Sequence, residues 1–193
     1  MLFLCLTSTL ENTQRERPSA PELKDLIRRI GLGEEAALAE FYRKTSSAVF
    51  GFALSICKNH ADAEEIMQDT YLAVDANAGQ YQPTGSPMAW LLTIAKNLAL
   101  GRLRRSDRET AVETLPEQAH PNDTAERTEN KMILETAMTI LSEEERQILI
   151  LHAVSGLKHR EIAAVLGLTL SGTLSKYHRA LKKLQKQLGG MAV

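Results

Sequence analysis

Cysteine is scarce in this chain of 193 residues: only Cys5 and Cys57 occur. Two thiols so placed build neither a disulfide framework nor a four-ligand zinc site, which fits a reducing interior. Cys57 and His60 share a C-x-x-H spacing, yet no second pair completes a metal site; a half-buried thiol beside a surface histidine is the simpler reading. Strand signals are almost absent, since few β-branched residues alternate with polar ones and no Asn-Gly turn separates apolar runs. That excludes a β architecture and leaves an all-α chain. Long hydrophobic runs are missing too. Residues 1–10 are apolar, but they lack a basic start and are too short to span a bilayer, so the expectation is a soluble, cytoplasmic protein. There is no H-E-x-x-H, no glycine-rich phosphate loop and no suggestive Ser, His and Asp set, so no catalytic residue, metal ligand, cofactor or small-molecule substrate is expected.

Charge is nearly balanced overall, at −1, but it is strongly segregated. Residues 96–105 carry four cations and no acid, 107–129 carry seven acids against Arg108 and Arg127, and no acid follows residue 171. Two basic segments therefore flank an acidic connector, and nucleic acid can be held at two separate places. The length suits two small domains. A leader spans 1–19, a first helical bundle 20–105, a linker with little apolar content 106–128, and a second bundle 129–190.

Helical periodicity predicts helices over 22–30, 34–58 and from Asp62 onward, then a polar loop over 77–86. Ser86 before Pro87 is a start signal for a helix reaching Arg105. Periodicity resumes over 129–141, and Ser142 with Glu145 forms a capping box that launches 143–154. The last quarter reads as a helix-turn-helix: 158–168 closed by Gly167, then 170–188. In that final helix Leu170, Leu174, Tyr177, Leu181, Leu184 and Leu188 form a stripe expected to face a core. Lys176, Arg179, Lys182, Lys183 and Lys186 lie on other sides, either as a solvated face or as a surface for DNA.

Three segments carry a family resemblance. Asp62-Ala63-Glu64-Glu65-Ile66-Met67-Gln68-Asp69-Thr70-Tyr71-Leu72 is similar to a stretch of region 2 of bacterial RNA polymerase sigma factors of the extracytoplasmic-function (ECF) group. Trp90-Leu91-Leu92-Thr93-Ile94-Ala95-Lys96-Asn97-Leu98-Ala99, with Arg104 and Arg105, resembles the W-L-x-x-I-A-x-N pattern of the same region. Leu141 to Gln147, Glu161-Ile162-Ala163, Leu166-Gly167 and the tail from His178 to Leu184 resemble region 4. The resemblance implies an alternative, non-enzymatic sigma factor that binds core RNA polymerase, selects promoters and assists their opening. It implies core docking through Asp62, Glu64, Glu65, Gln68 and Asp69. It implies contact with the −10 element through Asn77, Gln80, Tyr81, Lys96, Asn97, Arg102, Arg104 and Arg105, and with the −35 element through Ser171, Thr173, Ser175, Lys176, Arg179, Lys182 and Lys183. Asn77, Gln80 and Tyr81 offer amides and a ring to unstacked bases, although Tyr81 can equally anchor the loop. Trp90 lies on the apolar stripe of its helix and is read as core. The family also implies an anti-sigma factor, often membrane-bound, as partner.

The chain departs from the family at several points. Where G-T-V-K-S-R is common, this sequence has Ser171-Gly172-Thr173-Leu174-Ser175-Lys176; Gly101 stands for a common aspartate and Asp75 for a common tryptophan. Outside the resemblance, the competing class is a dimeric helix-turn-helix repressor or activator, which has no need for the acidic helix or for the basic helix after the polar loop.

Overall fold

The computed structural model describes residues 18–82, 85–110 and 139–190, and these are helical with no strand. Helix α1 (Ala20–Ile30) opens on a capping box between Ser19 and Glu22. Helix α2 (Glu35–Cys57) ends where Lys58 takes a left-handed conformation. Asn59 caps α3 (His60–Asn77), its side chain accepting from the Asp62 amide at 3.1 Å. The expected loop after Asn77 is shorter than predicted, because Ala78–Gln80 tightens into a single 3-10 turn. Ser86 Oγ accepts from the Ala89 amide at 3.3 Å and Pro87 begins α4 (Pro87–Thr110), as the Ser-Pro signal predicts. The predicted helix over 129–141 up to residue 138, the leader up to residue 17 and most of the linker lie outside the described residues.

In the second module, α5 (Glu143–Ala153) starts on the predicted Ser142–Glu145 box. Helix α6 (His159–Leu166) ends at Gly167, whose φ of 73° is a left-handed value that suits glycine and turns the chain toward α7 (Leu170–Gly190). The core of the first module takes Phe41, Val49 and Phe52 from α2, Ile66 and Val74 from α3, and Leu91 and Leu92 from α4, all of them buried. Tyr42, although it falls on the helical spacing of Leu38, Phe41 and Val49, is 40% exposed.

One finding corrects the expected stripe of the last helix, and another shows how the modules meet. The stripe of α7 is rotated: Thr173 and Ala180 are fully buried, whereas Leu170 is 48% exposed. The small Ala180 packs with Leu149 of α5, and Thr173 satisfies its hydroxyl on the Thr169 carbonyl at 3.0 Å. The two modules, joined through the linker, pack together in one apolar core in which Ile148, Leu151, Leu157, Ile162 and Val165 join Phe41, Phe52 and Leu92. Helix α5 packs on α2, and α6 on α4. A small core of the second module alone remains around Leu141, Leu149 and Ala180.

Candidate nucleic-acid interface

The first surface is the outer face of α3. Glu64, Glu65, Gln68 and Asp69 are exposed, and Leu72, at 68%, stands bare beside them. Thr70 and Tyr71 face inward; the Thr45 and Tyr71 hydroxyls lie 2.7 Å apart. Asp62 is half-buried and engaged: Arg102 of α4 donates to its carboxylate at 2.6 Å and also pairs with Glu65. One guanidinium expected on promoter DNA thus ties together two carboxylates expected on polymerase. Cys57 lies at the root of this helix, where burial pushes its thiol up and its Sγ donates to the Ala53 carbonyl at 3.1 Å. His60 turns away to Glu64, and no group among the described residues is arranged to hold a metal.

The second surface is a pocket of about 500 Å³ lined by Ala73, Asn77, Gln80, Tyr81, Gln82, Trp90 and Ile94. Local packing fixes its position. Helix α1 ends at Gly31, where a Cβ would come within 3.0 Å of the Gly79 backbone, so a bare glycine lets the chain carrying Gln80 and Tyr81 seat against α1. Tyr81 and Trp90 rings meet at 4.8 Å with a tilt of 54°. Trp90 packs against the core as expected and also walls this pocket, a role its stripe position did not reveal. The Tyr81 hydroxyl is buried with no hydrogen-bond partner, and burial pushes its pKa up, so it stays a neutral donor. Asn77 donates to the Ala73 carbonyl at 2.7 Å, leaving its amide oxygen outward.

Along α4 the predicted cations separate into different situations. Asn97, Arg104 and Arg105 are exposed, with Arg105 folded onto the Gly101 carbonyl at 3.4 Å. Arg102 is held by Asp62 and Glu65. Lys96 reaches into the second module and donates to the Val165 carbonyl at 2.7 Å. That carbonyl belongs to the last turn of α6, where helices leave acceptors unused and the dipole favours a cation.

The third surface is α7. Its expected readers divide by depth. Ser171, Ser175, Arg179 and Lys182 are exposed. Thr173 is buried, which corrects its assignment as a DNA contact: a side chain closed off from solvent meets no base edge. Lys176 pairs with Glu144 at 2.8 Å, and Lys183 with Glu145 at 2.6 Å, with Arg179 3.5 Å from the same carboxylate. Glu145 is itself only 2% exposed. Burial pushes its carboxyl up, but Lys183 and the Ser142 amide outweigh this and hold it below the usual carboxylate range. Lys183 is therefore a structural partner as placed, while Lys182 and Lys186 face solvent. His178, which the sequence reading passed over, is exposed between Ser175 and Lys182 on the same side.

Known proteins agree with this layout. Residues 41–109 match the sigma-70 region 2 family, and residues 131–184 match sigma-70 region 4. The chain is 31% identical over 175 residues to an ECF RNA polymerase sigma factor SigK of Mycobacterium bovis, covering 86% of this chain and 94% of the relative. It is 29% identical over 176 residues to one from Mycolicibacterium vanbaalenii, covering 87% and 90%. Among solved structures, the sigma factor RpoE of Bartonella quintana, crystallised with the anti-sigma factor NepR, superposes with a TM-score of 0.63 at 25% identity, covering 78% of this chain and 96% of that one. CnrH, in complex with the cytosolic domain of CnrY, shares the fold at 22% identity with a TM-score of 0.60, covering 86% and 97%.

Proposed function

The chain belongs to the sigma-70 family, in its ECF group, and from that premise we propose how its surfaces divide the work of an alternative sigma factor that directs RNA polymerase to promoters. Its partners are core polymerase, promoter DNA and an anti-sigma factor. It acts as a DNA-binding regulatory subunit and not as an enzyme. The exposed acids of α3, with Leu72 among them, dock on a basic surface of core polymerase; charge sets the approach and the apolar side chain adds contact area. The pocket between Asn77, Tyr81 and Trp90 receives an unstacked base of the −10 element, stacking it on a ring and offering amides to its edge, and the Tyr81 hydroxyl, buried as placed, joins them when the ring turns outward. Asn97, Arg104 and Arg105 hold the adjoining backbone. The exposed side of α7 enters the duplex at the −35 element.

The observation that carries this reading is the aromatic and amide-lined pocket lying between the acidic helix and a basic one, within a chain matching both sigma regions. As placed, Lys96 is occupied by α6 and Arg102 by α3, so the two modules separate and these pairs exchange when DNA is engaged. Transcription with sigma-free core polymerase from the host, on fragments of its genome, tests the function. Discrete start sites that vanish without the chain are expected; no start site on any fragment overturns it. Within such a system, reversing charge at Glu65 and Asp69 is expected to weaken core binding, whereas Arg179→Ala lowers transcription and leaves core binding intact.

A further inference from the structure

The rotation of α7 leaves two leucines where the sequence stripe does not put them. Leu170, the first residue of the helix, is 48% exposed, and Leu174, one turn on, is half-buried at the edge of the same side. The core-facing side is filled instead by Thr173, Tyr177, Ala180 and Leu184. Beyond the two leucines, the exposed side continues through Ser171, Ser175 and His178 to Lys182. A single exposed leucine needs no explanation. An exposed leucine with a half-buried one a turn on, at the opening of a helix whose outer side is otherwise hydroxyl, imidazole and cation, forms a patterned edge.

A second copy of the chain is a poor occupant for that edge. No acid follows residue 171, so facing α7 helices would bring cation to cation. A polyanion suits the surroundings. Leucine offers neither donor nor acceptor, and on the edges of bases in the major groove the one apolar group is the 5-methyl of thymine. Resting on the reading of α7 as the helix that enters the −35 duplex, we propose that Leu170 is a specificity-determining residue. It packs on a thymine methyl, with Leu174 closing the far side of the contact and Ser171, Ser175 and His178 meeting neighbouring polar edges. The position where the family commonly has a lysine, here Leu174, thereby trades a hydrogen-bonding contact for an apolar one.

Replacing thymine by deoxyuridine deletes that methyl and nothing else, which makes the contact directly measurable. Holoenzyme formed with the full chain is bound to its mapped promoter, and each −35 thymine on either strand is exchanged in turn. At one or two positions the exchange is expected to weaken binding about fourfold, the worth of one buried methyl group. Leu170→Ala is expected to lose a similar factor on the thymine promoter and to become indifferent to the exchange there, with thermal stability unchanged because the side chain is exposed. Leu170→Met, which keeps apolar reach, is expected to retain most of the discrimination. If deoxyuridine is tolerated everywhere, or its penalty persists undiminished in Leu170→Ala, the inference is overturned while α7 still reads the duplex. If scrambling the entire −35 element changes nothing, the reading of α7 itself fails, and the inference with it.

Discussion

Single side chains in this protein carry more than one obligation, and Tyr81 shows how they can be separated. Its ring leans on Trp90, while its hydroxyl is buried without a partner. A buried hydroxyl left unsatisfied costs about 1 kcal/mol or more, and on the reading of this pocket as a base site it gains a partner when the base enters. Tyr81→Phe is expected to leave the free protein as stable or to stabilise it by about 1 kcal/mol, and to slow promoter opening by up to about tenfold through loss of one hydrogen bond. Thermal melting of the free chain and permanganate footprinting of the open complex read the two effects independently. A variant that melts earlier and opens promoters normally would assign the hydroxyl a structural role. The same separation applies to Lys183, whose ammonium is committed to Glu145, whereas Lys182 next to it is not buried against any carboxylate.

At the scale of elements, the helix-turn-helix is held together where α5, α6 and α7 meet. His152 of α5, His159 of α6 and Tyr177 of α7 have ring centroids 4.6–5.0 Å apart, with His178 against Tyr177 at 5.6 Å. His152 bonds to the Leu157 carbonyl at 3.0 Å, while His159 Nε2 is buried without a partner. Burial first, and then the neighbouring imidazoles, hold the His159 pKa below its ordinary value of 6.5. The unfolded chain consequently takes up this proton before the folded one does. Stability is complete above the ordinary histidine range and falls as pH drops through it. Melting at about pH 7.5 and about pH 5.5 is expected to show a lower midpoint in acid, and His159→Phe, which keeps a ring in place, is expected to flatten that difference. An equal acid loss in the variant would move the effect to other groups.

Across the whole molecule, the decisive feature is the shared core between modules. Helix α5 packs on α2 at Gly51, where an added Cβ would sit in ordinary contact with Ile150 at 3.9 Å. Lys96 seals the other contact on the Val165 carbonyl, and Lys58 reaches Glu143 at 4.0 Å on the outside. A carboxylate placed without a partner at this half-buried seam costs about 1 kcal/mol or more. Ile150→Asp is therefore expected to part the modules, with a larger radius of gyration in small-angle scattering and easier access of Lys96 to acylating reagents. An unchanged radius with unchanged labelling would show that the seam does not hold them.

Which residues form helices was determined by the sequence alone, because capping boxes, the Ser86-Pro87 start and the left-handed Gly167 are local devices that act within a turn of themselves. Both sigma regions were legible for the same reason: their motifs sit inside single helices. The outer face of α3 and the amide and aromatic residues of the pocket could also be named from the chain. Three matters were decided only by tertiary structure: which side of α7 faces inward, which cations are already paired, and whether the modules touch. A leucine repeat states that a helix has an apolar side, but the neighbour chooses its angle. Here Ala180 packs with Leu149 of α5, and Glu144 and Glu145 draw Lys176 and Lys183 toward it. That choice depends on groups some forty residues apart along the chain, about 38 in the case of Glu145 and Lys183, and local periodicity contains no record of such a distance.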